Sequence, residues 1–395
     1  MTTHPALPTI RPLLDPAPEY AKWRSEEPIR RVTIWGDNSP WLITGHEDAR
    51  TVLADPRFSA DANHPNFPHT RPGAPPQAPG LFHQMDPPDH TRLRRMLIPD
   101  FTFRRIEQME DALRRICDDL LDAMTLGGAT EADLVESYAL PLPTLAICEL
   151  LGVPYEDHGF FRAKSNALTS VAGDPAEAMN ARMALYGYLR ALIERRAQEP
   201  ADDLISRLAT ERVATGEATL DEVTGMVCLL LLAGHETTAN MFPLAVIALL
   251  HHPAQLDALR VDESRWPAAV EELLRHLTVI HSGIRRVATE DVELSGVRIR
   301  AGEGVVVALQ SANRDPSAYS DPDALDVHRD AAGHLAFGHG LHQCLGQSLA
   351  RAELRLGLST LFRRLPMLHL TTPPETLALS TSTVHGVRSL PVAWR

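Results

Sequence analysis

The chain has 395 residues, with 51 acidic against 38 basic side chains and a formal net charge of −13. That balance excludes general nucleic-acid binding, which needs a basic face. The 44% of hydrophobic residues suffices for one large, mostly helical core.

Cys117, Cys148, Cys228 and Cys344 form no CxxC pair, which fits a reducing cytosol with the first three as buried apolar fillers. Met1 to Asp15 has no apolar signal-peptide core, and the longest apolar run, Met226 to Ala233, is too short to span a bilayer. No linker, repeat or low-complexity tract divides the sequence. Residues 1–395 therefore read as one mainly α (α+β) domain, β-rich at about 28–45, 280–310 and 375–395.

In chain order, Arg30 to Thr44 reads as two strands around a Gly36-Asp37-Asn38 turn, and His46 to Leu53 as a short helix. Residues 59–80 carry six prolines, cannot be helix, and read as a functional loop. A helix opens at Met85-Asp86-Pro87-Pro88-Asp89, with His90 and Arg94 four apart on one face. From Phe103 to Met124 apolar residues recur at helical spacing, and Leu140 to Leu151 is a further helix. Phe160 to Arg196 reads as two helices broken near Gly173-Asp174-Pro175, with Phe160, Phe161, Leu168, Val171, Met179 and Met183 as core or pocket candidates.

Thr219-Leu220-Asp221-Glu222 is a capping box that opens the longest helix, running to about His252 and roughly 50 Å long. Ala233 to Thr238 lies mid-way. His235-Glu236 looks like the start of an HExxH zinc motif, but the second histidine position is Ala239, so that reading fails. Pro243 is expected to kink this helix. Pro267 to Leu277 is a helix carrying Glu272 and Arg275 at i,i+3 spacing. Val279 to Ile284 is strand-like, Asp291 to Ala308 gives short strands, and Ser380 to Trp394 is again β-like.

Phe337-Gly338-His339-Gly340-Leu341-His342-Gln343-Cys344-Leu345-Gly346 sets one cysteine among glycines ahead of a helix, Gln347 to Arg364. A thiolate there is favoured by the unpaired N–H groups and dipole of the helix start. Gly338 and Gly340 permit positive φ and a close backbone approach to a flat, bulky group, for which Phe337 is an aromatic wall. Such a cysteine suits an axial ligand of haem iron. A zinc site from His339, His342 and Cys344 lacks a fourth ligand at finger-like spacing, and a Cys–His nucleophile explains neither the glycines nor Phe337.

The segment resembles the haem-binding signature F-G-x-G-x-H-x-C-x-G of the cytochrome P450 monooxygenases at every fixed position. Chance would produce such a match on the order of once in 10^8 starting points. The motif order extends the resemblance from about Tyr20 to Trp394, and TVIHSG, GEGVV and HLAFGHGLHQCLGQ look most like the streptomycete-type branch that oxidises antibiotics and xenobiotics.

The resemblance implies the cytochrome P450 fold and a thiolate-ligated haem b (iron protoporphyrin IX) whose metal ligand is Cys344. Phe337, Gly338, His342, Gly346, Ala233 and Gly234 would lie against the cofactor, and His90, Arg94 and Arg286 would hold its propionates. Ala233 to Thr237 resembles the oxygen-activation motif [AG]-G-x-[DE]-T, with Gly234 leaving room for a diatomic ligand and Glu236 and Thr237 relaying protons. Glu272, Arg275 and Arg329 would form a buried structural lock. Phe82, Val171, Leu232, Ala233, Val279, Ile280, Ser282, Thr383 and Val384 would line an apolar substrate pocket.

The implied activity is that of a hydroxylase of secondary metabolism, a cytoplasmic monomer without membrane or nucleic-acid partners. It would insert one atom of O2 into a hydrophobic small molecule by hydroxylation or epoxidation, with electrons from a ferredoxin and an NAD(P)H-dependent ferredoxin reductase. A peroxygenase driven by H2O2 and a non-catalytic haem sensor are the alternatives, and Glu236-Thr237 speaks against both. Two arginine clusters, Arg92, Arg95, Arg104, Arg105, Arg114 and Arg115, and Arg351, Arg355, Arg363 and Arg364, would receive the ferredoxin; the alternative is scattered solvated arginines, half of them paired with Glu107, Glu110, Asp111 and Glu353.

Overall fold

The computed structural model describes residues 4–70, 72–73, 77–157, 159–161, 163–164, 175–380 and 384–395. Its helices, in chain order, are α1 (Glu19–Glu26), α2 (His46–Ala54), α3 (Asp89–Leu97), α4 (Phe103–Gln108), α5 (Glu110–Thr125), α6 (Pro141–Leu151), α7 (Pro175–Gln198), α8 (Leu204–Leu208), α9 (Leu220–His251), α10 (Pro253–Val261), α11 (Trp266–Leu277), α12 (Leu309–Ala312) and α13 (Gln347–Arg364). The chain divides into two compact units: residues 1–77, 83–90 and 267–345, and residues 78–82, 91–266 and 346–395.

The first unit is built on a five-stranded sheet. Its strands are β1 (Ile29–Arg31), β2 (Trp41–Ile43), β3 (Phe58–Ser59), β5 (Ile284–Ala288) and β8 (Gly304–Val307), in the order β1-β2-β8-β5-β3. All pairs are antiparallel except β2 with β8, where Leu42 faces Val306. Val305, Val306 and Val307 are all buried, because both faces of the sheet are covered. By the two-residue period of a strand, Leu42 and Val306 pack with Tyr20 and Trp23 of α1. Ile43, Val305 and Val307 pack with Val52 and Leu53 of α2. β6 (Val292–Leu294) and β7 (Val297–Ile299) form a hairpin through Ser295 and Gly296, whose φ values of 46° and 80° suit a two-residue turn.

Two expectations change here. The 279–283 stretch is not strand, which begins only at Ile284, and β3 was not anticipated. Gly283, at φ 76°, leaves no room for a side chain beside Val306 and the Val307 carbonyl, so the chain turns before it can pair.

The second unit is the helical one. α9 begins at the capping box: the Glu222 amide donates to Thr219 Oγ1 at 3.1 Å, and the Thr219 amide donates to Glu222 Oε2 at 2.8 Å. Its 32 residues give a length of about 48 Å. Pro243, expected to kink it, lies inside the continuous helical run. Residues 79–80 end the proline-rich loop directly on the first turns of α9. A Cβ on Gly225 would stand 1.9 Å from the Pro79 carbonyl oxygen, and one on Gly80 2.2 Å from that of Glu222. α6 closes with Gly152 at φ 82°, the left-handed cap expected of a helix ending in glycine. A small sheet, β4 (Glu131–Asp133), β10 (Pro391–Ala393) and β9 (His369–Leu370), completes the unit, with β10 central and antiparallel to both.

The 103–124 stretch, expected as one helix, is two, separated at Met109. Met179 and Met183, expected in the core or pocket, are 54% and 68% exposed on α7, whereas Phe161 is buried. Leu168, Val171, Thr383 and the break near Gly173 lie outside the described residues. Among the described residues no helix is long and apolar enough to cross a membrane.

Candidate active site

In the first unit the cysteine loop is closed by its own backbone. The Gly338 amide donates to the Leu335 carbonyl at 2.8 Å, that of Gln343 to Gly340 at 3.0 Å, and that of Cys344 to Phe337 at 2.8 Å. Both loop glycines are left-handed, at φ 69° for Gly338 and 70° for Gly340. At Gly340 a Cβ would stand 2.6 Å from the Leu53 carbonyl oxygen, so the approach of α2 requires this glycine. At Gly338 an added Cβ meets no protein atom within 4 Å, and its positive φ favours glycine there. The ring of His342 stands 4.1 Å, centroid to centroid, from that of buried His90.

Two side-chain systems carry this loop. Glu272 and Arg275 of α11 are fully buried and bidentate: Arg275 Nε donates to Glu272 Oε2 at 2.7 Å and Nη2 to Oε1 at 2.8 Å. Arg275 Nη1 also donates to the Asn313 and Pro322 carbonyls, both at 2.8 Å. Arg329 Nε reaches Glu272 Oε1 at 3.2 Å, and the Asp326 amide reaches the same oxygen at 3.0 Å. The carboxylate thus has a donor on every side, which a buried charge needs. Asn313 links this system to the loop, its Oδ1 accepting from the Leu335 amide at 2.7 Å. The sequence shows Asn313 only as part of a turn, because its partner is 22 residues away.

Among the cysteines, burial decides which can be a ligand. It pushes the thiols of Cys117 and Cys148 up to about 11 and about 12 and raises that of Cys228, keeping all three protonated. Cys344 alone of the four is exposed. Arg285 and Arg286 occupy successive positions of β5, hence opposite faces. Desolvation lowers both guanidiniums to about 10, and buried Arg285 Nε has no hydrogen-bond partner among the described residues. An accessible thiol together with a desolvated cation at Arg286 suits a metallated macrocycle bearing carboxylates. Val279, Ile280 and Ser282 are half-buried on the turn before β5.

In the second unit the middle of α9 breaks an otherwise buried helix. Val223 to Val227 and Thr238 to Ala239 are buried, whereas Ala233 is exposed and Leu232, Gly234, Glu236 and Thr237 are half-buried. Thr237 Oγ1 donates to the Ala233 carbonyl at 2.9 Å, and Asn240 Nδ2 donates to the Glu236 carbonyl at 2.8 Å. At Gly234 an added Cβ would stand 3.3 Å from Ile147 of α6, so its small size also serves helix packing. Phe82 and Val384 are buried in this unit, and Arg94 is half-buried on α3. Four of the arginines expected to receive a ferredoxin are already in ion pairs: Arg92 with Glu222, Arg114 and Arg355 with Glu110, and Arg364 with Asp118 and Asp122. Glu353, expected as a surface partner of theirs, is buried.

An exposed cysteine on a glycine loop and a half-buried acid–alcohol pair in mid-helix are the features expected of a haem-thiolate oxygenase. Comparison with known proteins agrees. The sequence profile of the family Cytochrome P450 matches residues 266–387. Cytochrome P450-SU2 of Streptomyces griseolus is 48% identical over 384 residues, covering 96% of this chain and 94% of its own. The vitamin D3 dihydroxylase of the same organism is 47% identical over 398 residues, covering 100% and 98%. The crystal structure of GfsF, a cytochrome P450 of Streptomyces halstedii, matches with a TM-score of 0.93 at 42% identity, over 99% of this chain and 100% of that one. The chain belongs to the cytochrome P450 family, in its streptomycete branch. It is a monooxygenase of that family, with a thiolate-ligated haem b as cofactor.

Proposed function

We propose that the enzyme inserts one atom of O2 into a hydrophobic natural product or xenobiotic, with Cys344 as the iron ligand and Glu236 and Thr237 as the proton relay. The observation that carries this reading is that Glu236 and Thr237 are only half-buried in mid-helix, between buried turns. When bound, haem supplies the O2 chemistry and the thiolate favours O–O cleavage. The chain's own residues position and protonate. Thr237 can hold a proton at Oγ1, which already has an acceptor in the Ala233 carbonyl, and Glu236 can resupply it from its carboxylate. Arg286, His90 and Arg94 would bind the propionates, and Leu232, Val279, Ile280 and Val384 would supply an apolar wall. The naming of one relative as a vitamin D3 dihydroxylase supports an apolar, polycyclic substrate class.

Electrons would come from a ferredoxin, itself served by an NAD(P)H-dependent reductase. Arg95, Arg104, Arg115 and Arg363 are exposed in the second unit, among apolar Ile98 and Phe103 at 45% and 76% exposure. They suit an acidic partner better than the ion-paired Arg92 and Arg355.

The test uses Cys344→Ser and Thr237→Ala. Cys344→Ser should lose the red-shifted Soret band of the reduced, CO-bound protein. Thr237→Ala should keep haem and substrate binding but divert most electrons to peroxide. An unaltered CO spectrum in the first variant, or unaltered coupling in the second, refutes the corresponding assignment.

A further inference from the structure

α9 carries two buried polar anchors, one on each side of Glu236-Thr237. On the N-terminal side is His235, fully buried, with Nδ1 2.6 Å from Thr144 Oγ1 of α6. The Thr144 hydroxyl also reaches the Leu140 carbonyl at 2.8 Å. A hydroxyl has a single proton to give. If it goes to Leu140, Oγ1 accepts from His235, and the imidazole carries its proton on Nδ1. The orphaned Nε2 agrees: it is buried with no partner among the described residues. As a lone pair it forfeits one weak interaction, whereas the other tautomer would strand a buried N–H donor. Burial also holds the ring neutral, lowering its pKa to about 4. On the C-terminal side Thr238, also buried, hydrogen-bonds Glu353 of α13.

The α6 contact is close as well as polar. Next to His235, Gly234 has Ile147 within 3.3–3.6 Å of where a Cβ would stand. Thr144 and Ile147, three apart on α6, therefore face consecutive residues of α9, one giving a hydrogen bond and the other fitting the missing side chain. A helix turns by about 100° per residue. A small rotation of α9 here would redirect the side chains of the next two positions, which are Glu236 and Thr237.

We propose that His235 is a positioning residue: its hydrogen bond to Thr144 fixes the rotation of mid-α9 against α6 and thereby aims Glu236 and Thr237. This rests on the proton-relay reading of that pair, and the two can fail separately.

The experiment compares Thr144→Val, His235→Phe and His235→Asn with the unmodified enzyme, as holoproteins. Thr144→Val removes the hydroxyl at nearly constant volume, His235→Phe removes the donor, and His235→Asn keeps an N–H close to the position of Nδ1. One readout is amide hydrogen exchange in residues 233–240 of the substrate-free ferric protein. The other is the share of NAD(P)H electrons released as peroxide. Thr144→Val and His235→Phe should speed exchange in 233–240 about tenfold, leave 244–249 unchanged, and raise the peroxide share at least threefold. His235→Asn should stay within twofold on both.

Unchanged exchange in Thr144→Val overturns the proposal. So does faster exchange with unaltered coupling, which would make the bond merely structural. Failure of His235→Asn to rescue overturns it too. If His235→Phe yields no holoprotein, Thr144→Val and His235→Asn decide alone. Thr237→Ala separates the two claims. If it uncouples turnover and Thr144→Val does not, this inference falls and the relay stands; if Thr237→Ala leaves coupling intact, the relay itself is refuted.

Discussion

Replacing Glu353 with glutamine should stabilise the folded enzyme at neutral pH. Glu353 is 2% exposed on α13, and among the described residues its Oε2 has no hydrogen-bond partner and no cation compensates it. Burial pushes its carboxyl from an ordinary 4.5 up to about 8, against a smaller opposing effect of the Thr238 hydrogen bond. The folded chain therefore keeps this proton between about 4.5 and 8 while the unfolded chain releases it. Stability must fall across that window as pH rises, by about 1.4 kcal/mol per pH unit, reaching about 3 kcal/mol at pH 7. Glutamine fills the same volume, can still bond Thr238 and has no proton to lose. Its stranded amide N–H costs much the same as the stranded O–H of the protonated acid, so the two penalties cancel to first order. Urea unfolding of the holoenzyme followed by far-ultraviolet circular dichroism at pH 5, 7 and 8 reads the effect. The two proteins should differ by less than about 1 kcal/mol at pH 5, and Glu353→Gln should lead by about 3 kcal/mol at pH 7. Parallel pH profiles would refute the reasoning, and so would a less stable glutamine variant at pH 7.

Other substitutions test other parts of the framework. Arg275→Leu leaves Glu272 as an uncompensated buried charge and should cost about 3–5 kcal/mol, seen as a collapse in the yield of haem-loaded protein; normal yield would contradict the buried lock. Gly340→Ala forces a Cβ to within 2.6 Å of the Leu53 carbonyl oxygen at φ 70° and should destabilise by more than about 1 kcal/mol in the same urea assay. Gly338→Ala meets no protein atom within 4 Å and should cost less in the unfolding of haem-free protein. Reversing charge at Arg104 and Arg363 should slow reduction by a small acidic ferredoxin and flatten its dependence on ionic strength, since steering is screened over about 8 Å in physiological salt. A salt-independent rate in the unmodified enzyme would remove the docking surface.

The elements visible in the sequence are those whose signal is local. The capping box at Thr219 and Glu222 marks the start of α9, and the glycine after α6 marks its end, because each motif satisfies backbone groups within a few residues. Gln347 and Arg364 bound α13 as the helical pattern suggests. The cysteine loop is legible for the same reason: its conformation demands glycine at fixed places. Errors arise where tertiary contact decides. Met179 and Met183 have core-like chemistry but lie on an outward face of α7, and periodicity along 160–196 does not say which face is covered.

Glu353 and His235 show a stricter limit. Each was read from its immediate neighbours: a surface partner for arginines, a failed zinc motif. In each case the deciding atom belongs to a helix far away in sequence, Thr144 for His235 and Thr238 for Glu353. These contacts gather where α6 and α13 lie against the middle of α9, and there the residue types look least orderly in sequence. An apolar helix could carry Glu236 and Thr237 equally well in composition but would leave their direction to non-directional packing. Hydrogen bonds to buried partners cost desolvation and return angular specificity, which hydrophobic contact does not supply. A cluster of buried polar residues beside a half-buried acid–alcohol pair is therefore better explained by aim than by stability. The predicted gain in stability from Glu353→Gln is the same argument seen from its energetic side.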